Sequence, residues 1–349
     1  MQSVMLALIA AGAILSASVG ASAQTPAWGS SVLRQKAGWY ASPQALAMAR
    51  TVMLHQSPEG GWPKNSDLAR PPSASAEHSE PTFDNNGTTQ PMAFLARVAS
   101  ASDDAAVEAS FLRGLDYVLA AQQPHGGWPQ FYPLRGGYYD HITFNDDAMV
   151  HILTLLSDVA RGADPYAFVD AERRDQAGRA VQAGIDVILK TQIRKDGVLT
   201  AWCAQHDERT FEPAWARRFE PPSLSGNESV GIVRFLMSRP DPSPEMIAAV
   251  DGAVAWFQAS AIPDLRLETI ELADGREDRQ LIAAPGERLW ARFYDLQTNR
   301  PVYMGRDSVP HERLEDIEFE RRNGYHYVGT WPEALLTRDY PRWKAGLAR

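Results

Sequence analysis

Residues 143–149 read Thr-Phe-Asn-Asp-Asp-Ala-Met, and a run with apolar residues at helical spacing follows them. A Gly-Gly-Trp-Pro turn precedes this stretch at residues 126–129. The same order occurs once before, with Gly-Gly-Trp-Pro at 60–63, Thr-Phe-Asp-Asn-Asn at 82–86 and another helical run after it. Each of two successive units therefore ends one helix at a glycine turn and begins the next beside a cluster of carboxylates and amides.

A glutamine marks the end of three predicted helices. Gln56, Gln122 and Gln192 each stand four residues before a turn, which is Gly-Gly-Trp after the first two and Asp-Gly after the third. A repeat of helix pairs at a nearly constant interval indicates a stacked or closed array. We expect a mainly α fold, an (α/α)3 toroid of three helical hairpins with a few short β-strands, in which Trp62 and Trp128 belong to the core.

Helical periodicity places the elements along the chain. It predicts helices over 43–56, 89–100, 106–123, 146–159, 170–192, from 225 onward, and over 243–261. Ser225 and Glu228 have the spacing of a capping box at the start of the sixth helix. The C-terminal part contains strand-like pieces at 290–296, 301–304 and 325–328, and one short helix near 331–337.

Composition limits the class of protein. The chain has 349 residues, is 44% hydrophobic and carries a net charge of −9, which fits one large domain and makes a nucleic-acid partner improbable. Residues 1–23 contain an apolar run followed by Ala-Ser-Ala, the pattern of a cleaved secretory signal, so we expect a secreted protein whose catalytic domain spans 24–349. No later stretch is long and apolar enough for a membrane helix. We expect a monomer, and the single cysteine, Cys203, excludes an internal disulfide.

The two polar clusters, Asp-Asn-Asn at 84–86 and Asn-Asp-Asp at 145–147, admit two interpretations. Asp and Asn are favoured N-caps of helices, so capping alone could explain one residue in each cluster. Each cluster supplies three such residues, and this surplus favours a ligand site. Oxygen-only donors at equivalent places of two repeats suit a hard cation such as calcium.

Arginines with aromatic neighbours form the second set of candidates. Arg217 and Arg218 lie between Trp215 and Phe219, Arg292 lies in Trp-Ala-Arg-Phe-Tyr, and Arg306 follows Met-Gly. Arginine binds carboxylates through two parallel hydrogen bonds, so this grouping in a net-negative protein suggests an acidic carbohydrate. Surface ion pairing is the alternative for any one of them. The histidines show no metal-ligand spacing, so a zinc site is improbable.

These motifs together resemble the family-ten polysaccharide lyases, which are pectate lyases with an (α/α)3 toroid fold. The resemblance covers nearly the whole mature chain, over residues 60–65, 82–85, 126–133, 143–149, 200–207, 217–226, 292–294 and 305–307. It implies cleavage of α-1,4-polygalacturonate by β-elimination, aided by calcium and giving 4,5-unsaturated oligogalacturonates.

The resemblance also implies a role for each matching residue. Asp84, Asn85 and Asp146 would bind calcium, and Arg217 would be the Brønsted base. The substrate would be bound by four further residues: Arg292, Arg306, Lys64 and Asp147. A register shift of one residue would give the role of Arg217 to Arg218.

Three other functions remain open from the residues alone. A glycoside hydrolase would use Asp84 and Asp146 as its acid and base and would release no unsaturated sugar. A terpene-cyclase-like toroid would need aspartate motifs that the chain lacks. A non-catalytic, calcium-dependent pectin-binding protein would bind the polymer without turnover.

Overall fold

The computed structural model describes residues 26–73 and 80–347, and helices dominate these ranges. The predicted signal at 1–23 and the predicted mature N-terminus at Gln24 lie outside the described residues. All seven predicted helices are present, with ends that differ from the prediction by a few residues. They are α1 (Pro43–Leu54), α2 (Thr89–Ser102), α3 (Ala105–Ala120), α4 (Ala148–Arg161), α5 (Ala171–Thr191), α6 (Glu228–Met237) and α7 (Pro244–Ala259).

The helices form an inner and an outer set. In the inner set, α2 contacts α4 and α4 contacts α6. In the outer set, α1 contacts α3, α3 contacts α5 and α5 contacts α7. Each inner helix also packs against the outer helix that follows it, which gives the hairpins α2/α3, α4/α5 and α6/α7. This arrangement confirms the mainly α class and the (α/α)3 toroid.

The repeated glutamines join successive outer helices. The Nε2 of Gln56 donates to Gly60 O at 2.8 Å, within its own turn, and to Ser110 O of α3 at 2.9 Å. Gln122 makes the same two bonds, to Gly126 O and to Ala180 O of α5. Gln192 likewise donates to Thr200 O and to Ala249 O of α7. One side chain therefore fixes both a turn and the next helix, because the amide group donates one hydrogen bond to each of them.

A buried tryptophan follows each glutamine. Trp62 Nε1 donates to Val52 O of α1 at 2.9 Å, and Trp128 Nε1 donates to Val118 O of α3 at the same distance. Both indoles are almost fully buried, which confirms them as core residues. Trp202 makes the third bond of this kind, to Ile188 O of α5 at 2.7 Å, although the sequence around it does not repeat Gly-Gly-Trp-Pro.

Most of the described strands are only two residues long, and they pair with one another to connect loops. They are β1 (Ile142–Thr143), β2 (Arg194–Lys195), β3 (Val198–Leu199), β4 (Gln205–His206), β5 (Leu224–Ser225), β6 (Ile262–Glu271), β7 (Glu277–Ala291), β8 (Phe293–Tyr294), β9 (Tyr303–Met304), β10 (Pro310–His311) and β11 (Val328–Gly329). The antiparallel pair β1–β4 lies beside the second polar cluster, and β5–β8 leads into α6. These pairs place loops rather than build a separate sheet domain.

The long hairpin of β6 and β7 was not predicted. Its strands pair in antiparallel register from Leu265 opposite Ala283 to Glu271 opposite Glu277, and a Gly275 with φ of 79° lies in its turn. An Asp-Gly turn between alternating residues is a hairpin signature that the sequence does contain. Most hairpin residues are exposed or half-buried, so apolar residues do not mark one face of it clearly.

The predicted C-terminal pieces at 301–304, 325–328 and 331–337 overlap β9, β11 and a helical turn, but the observed elements are shorter or displaced by a few residues. The chain forms α8 (Phe319–Gly324), which was not predicted, and then a π-helical turn over Leu335–Asp339 that continues into α9 (Tyr340–Leu347). The predicted strand at 290–296 corresponds to the end of β7 and to β8. In the part of the chain that the structure describes, no helix has the length and apolarity needed to cross a membrane.

Candidate active site

The two polar clusters adopt the same unusual backbone. Each forms one 3-10 turn, over Asp84–Asn86 and Asn145–Asp147, and we call these the carboxylate turns. Two successive residues of each turn are left-handed, with φ of 49° and 60° in the first and 50° and 59° in the second. Asn and Asp tolerate this conformation better than other non-glycine residues. The turns contact each other at the N-terminal ends of α2 and α4, so the repeat brings the two clusters together.

The clusters do not serve as helix caps. The outer helices α1, α3, α5 and α7 each have a Ser or Asp N-cap that accepts a backbone N–H. The inner helices α2 and α4 have no such side-chain bond at their N-caps, Thr88 and Asp147. The chain therefore uses Asp as a cap elsewhere but leaves the side chains of the carboxylate turns for other contacts.

An open cavity of about 400 Å³ lies over the carboxylate turns. Its lining contains five of the predicted site residues: Lys64, Asp84, Asn85, Asp146 and Arg217. Its other lining residues, which the prediction did not assign, are Asn65, Gln130, Phe131, Arg135, Tyr138, Tyr139, Asn145, Gln205, Ala216 and Glu220. Cations, carboxylates, amides and aromatic rings thus share one cleft, the combination that sugar acids require.

Asp84 is the most deeply buried carboxylate of this cleft, with 4% of its surface exposed. Its Oδ2 accepts from Lys64 Nζ, while its Oδ1 is buried without a hydrogen-bond partner. A buried oxygen that lacks a partner is costly unless a ligand, ion or water satisfies it. The Oδ1 of Asp84 is therefore available as a ligand atom for a cation or a water molecule.

Arg292 lies beneath the second carboxylate turn rather than in the cavity lining. It is 5% exposed, and its Nη2 donates to Asp146 Oδ1 at 2.9 Å, to Asn145 Oδ1 at 3.2 Å and to Glu228 Oε1. Burial alone would lower the pKa of Arg292, but Glu228, Tyr325 and Asp146 raise it above its usual value. Arg292 is therefore a permanent cation that holds Asp146 in place.

Arg217 lines the cavity and is bound to one carboxylate. Its Nε donates to Glu220 Oε2 at 2.9 Å and its Nη2 donates to Glu220 Oε1 at 2.5 Å. These hydrogen bonds raise the pKa of Arg217 above its usual value, against the opposing effect of burial. Arg218 points elsewhere, since its Nε donates to Ser308 Oγ at 2.8 Å and it is absent from the cavity lining.

Besides Arg292, two further predicted substrate-binding residues, Arg306 and Asp147, are not in the cavity lining. Arg306 is exposed and paired with Glu320, but its guanidinium lies 5.0 Å from the Phe219 ring, next to Arg217. Asp147 packs against α6, where its Oδ1 lies 2.1 Å from the position that a Cβ on Gly231 would take. Burial, and then the charges of Glu228 and Asp146, raise the pKa of Asp147 to about 7.

Sequence reasoning missed the carboxylates that hold the arginines. Glu228 was interpreted as part of a capping box, and Ser225 Oγ does accept its backbone N–H at 3.1 Å. The Glu228 carboxylate, however, accepts from Ser225 Oγ and Arg292 instead of capping the backbone. Glu220 follows Phe219 directly in the sequence, and its spacing of three residues from Arg217 was the one available clue.

A second group of ionisable side chains lies near the site. Within the described ranges, the one cluster of three or more His, Cys, Asp or Glu ligand atoms within 4.8 Å of one another is His141, Asp207 and Glu208. His141 Nδ1 and Glu208 Oε2 are 2.9 Å apart and satisfy each other, and Asp207 Oδ1 accepts two backbone N–H groups of its own turn. Local bonds therefore account for this cluster. The fold brings His141 into contact with these residues, and the sequence spacing gave no indication of this contact.

The fold and the cleft together define a helical-toroid protein with an open site of oxygen donors and cations. A profile of the pectic acid lyase family matches residues 56–336. A solved family-ten polysaccharide lyase from Cellvibrio cellulosa is 33% identical, with a TM-score of 0.77, and the match covers 87% of this chain and 94% of that one. An aspartate-to-alanine mutant of that lyase, solved in complex with trigalacturonic acid, is also 33% identical, with a TM-score of 0.78 and coverage of 87% and 95%. A search of curated proteins gave no match.

The chain therefore belongs to the pectic acid lyase family and is a polysaccharide lyase. This result decides against the glycoside hydrolase, the terpene-cyclase-like toroid and the binding-only protein that the residues alone left open.

Proposed function

We propose that the chain is a pectate lyase that cleaves α-1,4-polygalacturonate by calcium-assisted β-elimination, with Arg217 as the Brønsted base. The products would be 4,5-unsaturated oligogalacturonates. The observation that carries the proposal is the meeting of both carboxylate turns, Lys64 and Arg217 in one cleft. The trigalacturonic acid bound by the related lyase supports a polygalacturonate substrate.

The proposed calcium ligands are Asp84, Asn85 and Asp146. All three offer oxygen atoms, and the buried Oδ1 of Asp84 lacks a partner, so the donor set fits a hard cation. When bound, calcium would withdraw negative charge from a substrate carboxylate and favour the charge that develops there during elimination. Arg292 would keep Asp146 oriented toward the cleft, since it donates to that carboxylate from below.

Elimination removes the proton at C5 of a galacturonate residue, forms the double bond between C4 and C5, and breaks the C4–O bond, and the departing oxygen takes a proton from water. Lys64 and Arg306 would hold carboxylates of the bound polymer, and Asp147 would act on substrate only through the turn that it ends. Arg217 would accept the C5 proton. Because Glu220 keeps Arg217 protonated in the ligand-free protein, the proposal requires that substrate loosen the Glu220 pair and that neighbouring cations, bound calcium among them, lower the pKa of Arg217.

The experiment follows the appearance of the unsaturated-uronate absorbance band on polygalacturonate. We expect activity to disappear with excess chelator and to return with calcium. Asp146→Ala should raise the calcium concentration needed for half-maximal activity or abolish turnover, because a ligand is lost. Asp158→Ala, a change at a half-buried carboxylate on α4 that pairs with Arg161 outside the cleft, should leave the calcium response unaltered.

Two outcomes separate the parts of the proposal. Full activity in chelator, with no metal bound to the protein, would eliminate the calcium role and leave lyase activity intact. Galacturonate products without the unsaturated band would show that the bond is hydrolysed, and the elimination mechanism would then be wrong.

Export is part of the same proposal. Residues 1–23 would direct secretion, and the mature enzyme would begin at Gln24 and act as a monomer with one catalytic domain over 24–349. N-terminal sequencing of the exported protein should begin at Gln24, and an exported chain that begins at Met1 would contradict this. Light scattering of the purified enzyme measures whether it is a monomer.

A further inference from the structure

Three guanidinium groups surround one aromatic ring beside the cleft. The ring is that of Phe219, and its centroid lies 5.1 Å from Arg217, 5.0 Å from Arg306 and 4.0 Å from Arg321. Arg217 and Arg306 are the proposed base and a proposed carboxylate ligand, whereas Arg321 has no assigned role. All three guanidinium groups contact the ring of Phe219, so the position of this ring affects each of them.

A second ring continues this arrangement. Arg321 lies 4.1 Å from the centroid of Tyr325, and Arg292 lies 4.8 Å from the same ring. The Tyr325 hydroxyl donates to Glu220 Oε1 at 3.1 Å, which is the carboxylate that binds Arg217. Phe219, Arg321 and Tyr325 therefore connect the Arg217–Glu220 pair with Arg292, which lies beneath the second carboxylate turn.

Arg321 itself is held in an unusual way. It is 5% exposed, and among the residues that the structure describes it forms no ion pair. Its Nε donates to the Tyr327 hydroxyl at 3.0 Å, and its Nη2 is buried without a hydrogen-bond partner. A buried cation with no carboxylate is costly, and contacts with three aromatic rings offset only part of that cost. Stability alone therefore does not explain why an arginine occupies this position.

The unpredicted hairpin supplies the support for Arg321. The neighbouring Arg322 donates to both oxygens of Asp278 on β7, at 2.7 and 2.8 Å. Asn323 donates to Asp278 as well and accepts the backbone N–H of Arg279. These bonds fix α8 on β7, and a fixed α8 places Arg321 between the two rings.

We propose that Arg321 is a positioning residue that sets the places of Arg217, Arg306 and Arg292 by clamping Phe219 and Tyr325. Arg321 is buried and does not reach the cleft, so it acts through these rings and not on the substrate. The inference rests on the proposed function, since it gives Arg321 a place in the proposed elimination. Misplacement of a reacting group by about 1 Å can reduce the rate of a reaction about a hundredfold.

The test replaces Arg321 by methionine, which retains much of the buried volume but removes the planar cation. We expect kcat on saturating polygalacturonate to fall about ten- to a hundredfold at a temperature well below the unfolding midpoint. Arg321→Lys restores the charge but not the planar group, so it should not restore kcat. The matched control is Arg239→Met, because Arg239 also contacts a ring, Phe235 at 5.0 Å, has a buried Nε without a partner and lies away from the cleft.

The results separate positioning from general stability. Loss of kcat in Arg321→Met with wild-type kcat in Arg239→Met supports the proposal, whereas wild-type kcat in Arg321→Met overturns it, as does full rescue by lysine. If Arg321→Met does not fold, Tyr327→Phe decides, because it removes the anchor of Arg321 and leaves every ring in place. A fall in kcat of that variant supports positioning, and an unchanged kcat overturns it.

A crystal structure of Arg321→Met, or of Tyr327→Phe if the first does not fold, gives a readout independent of activity. We expect the Phe219 ring and the guanidinium of Arg217 to be displaced, and an undisturbed Phe219 and Arg217 would overturn the inference. An inactive wild-type enzyme would refute the proposed function alone, and the displacement would still be measurable.

Discussion

The carboxylate half of the site and its arginine half are built in different ways. The carboxylate turns are copies of one local structure, because each uses two left-handed residues at the start of an inner helix. The arginines come from unrelated segments of the second half of the chain, and Arg292 binds Glu228 and Asn145, which lie 64 and 147 residues away in sequence. A local structure that is repeated in two hairpins forms the carboxylate half, and long-range packing forms the arginine half.

The difference also appears in the electrostatics of two ion pairs. Arg292 and Glu228 are both almost fully buried, and neither can be removed without leaving a buried charge. The Arg217 side chain, by contrast, is 46% exposed although its partner Glu220 is buried. A half-exposed pair can be opened by an incoming anion at lower cost. The buried pair is therefore suited to fix a ligand, and the accessible pair is suited to exchange partners during a reaction.

The largest expected effect tests the arginine half directly. Arg217→Ala and Arg217→Lys should each lower kcat about 10³-fold while the substrate still binds, because a general base contributes on that order. If Arg217 only held a carboxylate, lysine would keep much of the attraction and the loss would appear mainly in KM. Steady-state kinetics on polygalacturonate separates the two cases.

Arg218→Ala is the matched control for that experiment. Its guanidinium bonds to Ser308 outside the cleft, so kcat should stay within a few-fold of wild type. An inactive Arg218 variant beside an active Arg217 variant would exchange their roles. Normal turnover by both would mean that neither arginine is the base.

A smaller effect concerns the support of the second carboxylate turn. Ala204 O accepts the backbone N–H groups of Phe144 and Asn145, and His206 lies two residues further along. His206 Nδ1 donates to Phe211 O and its Nε2 accepts from the Cys203 N–H, so the ring is held neutral. Burial lowers the pKa of His206 to about 4 from 6.5, which is worth roughly 3 kcal/mol.

The sign of the pH dependence follows from that direction. A histidine whose pKa is lowered by folding favours the native state above pH 6.5, and this stability is lost as the pH falls toward 4. The unfolding free energy of wild type should therefore approach that of His206→Gln as the pH is lowered over this range. Urea titrations measure this gap. A gap that stays constant over this range would show that His206 is not the titrating group.

The smallest effects test the repeated scaffold that carries the carboxylate half. Gln192→Ala should lower the unfolding free energy by about 2 kcal/mol, because two buried hydrogen bonds are lost. Gln122→Ala should cost about 1 kcal/mol, since its environment is only partly buried. The control, Gln123→Ala, removes a bond to Ala121 O within the same turn and should change stability little. Equal losses of unfolding free energy in Gln122→Ala and Gln123→Ala would show that the repeated glutamine does not join the outer helices.

Within the site, the sequence located the donors but not their partners. It placed Asp84, Asn85 and Asp146 together because the repeat dictates equivalent positions in successive hairpins. It could not show that Asp147, the next residue, turns toward Gly231, because a left-handed φ of 59° redirects that side chain. Nor could it show that the N-caps of α2 and α4 make no side-chain hydrogen bond to the backbone.

The sequence by itself determined the repeat, the helices and the oxygen-rich turns. Periodicity, glycine turns and polar clusters act over a few residues, so they are readable wherever they occur. Only the tertiary structure decided which carboxylate neutralises which arginine and where Arg321 lies. The contacts of Arg292 join segments far apart in the chain, and even the short-range Arg217–Glu220 pair depends on a burial of Glu220 that its own segment does not provide.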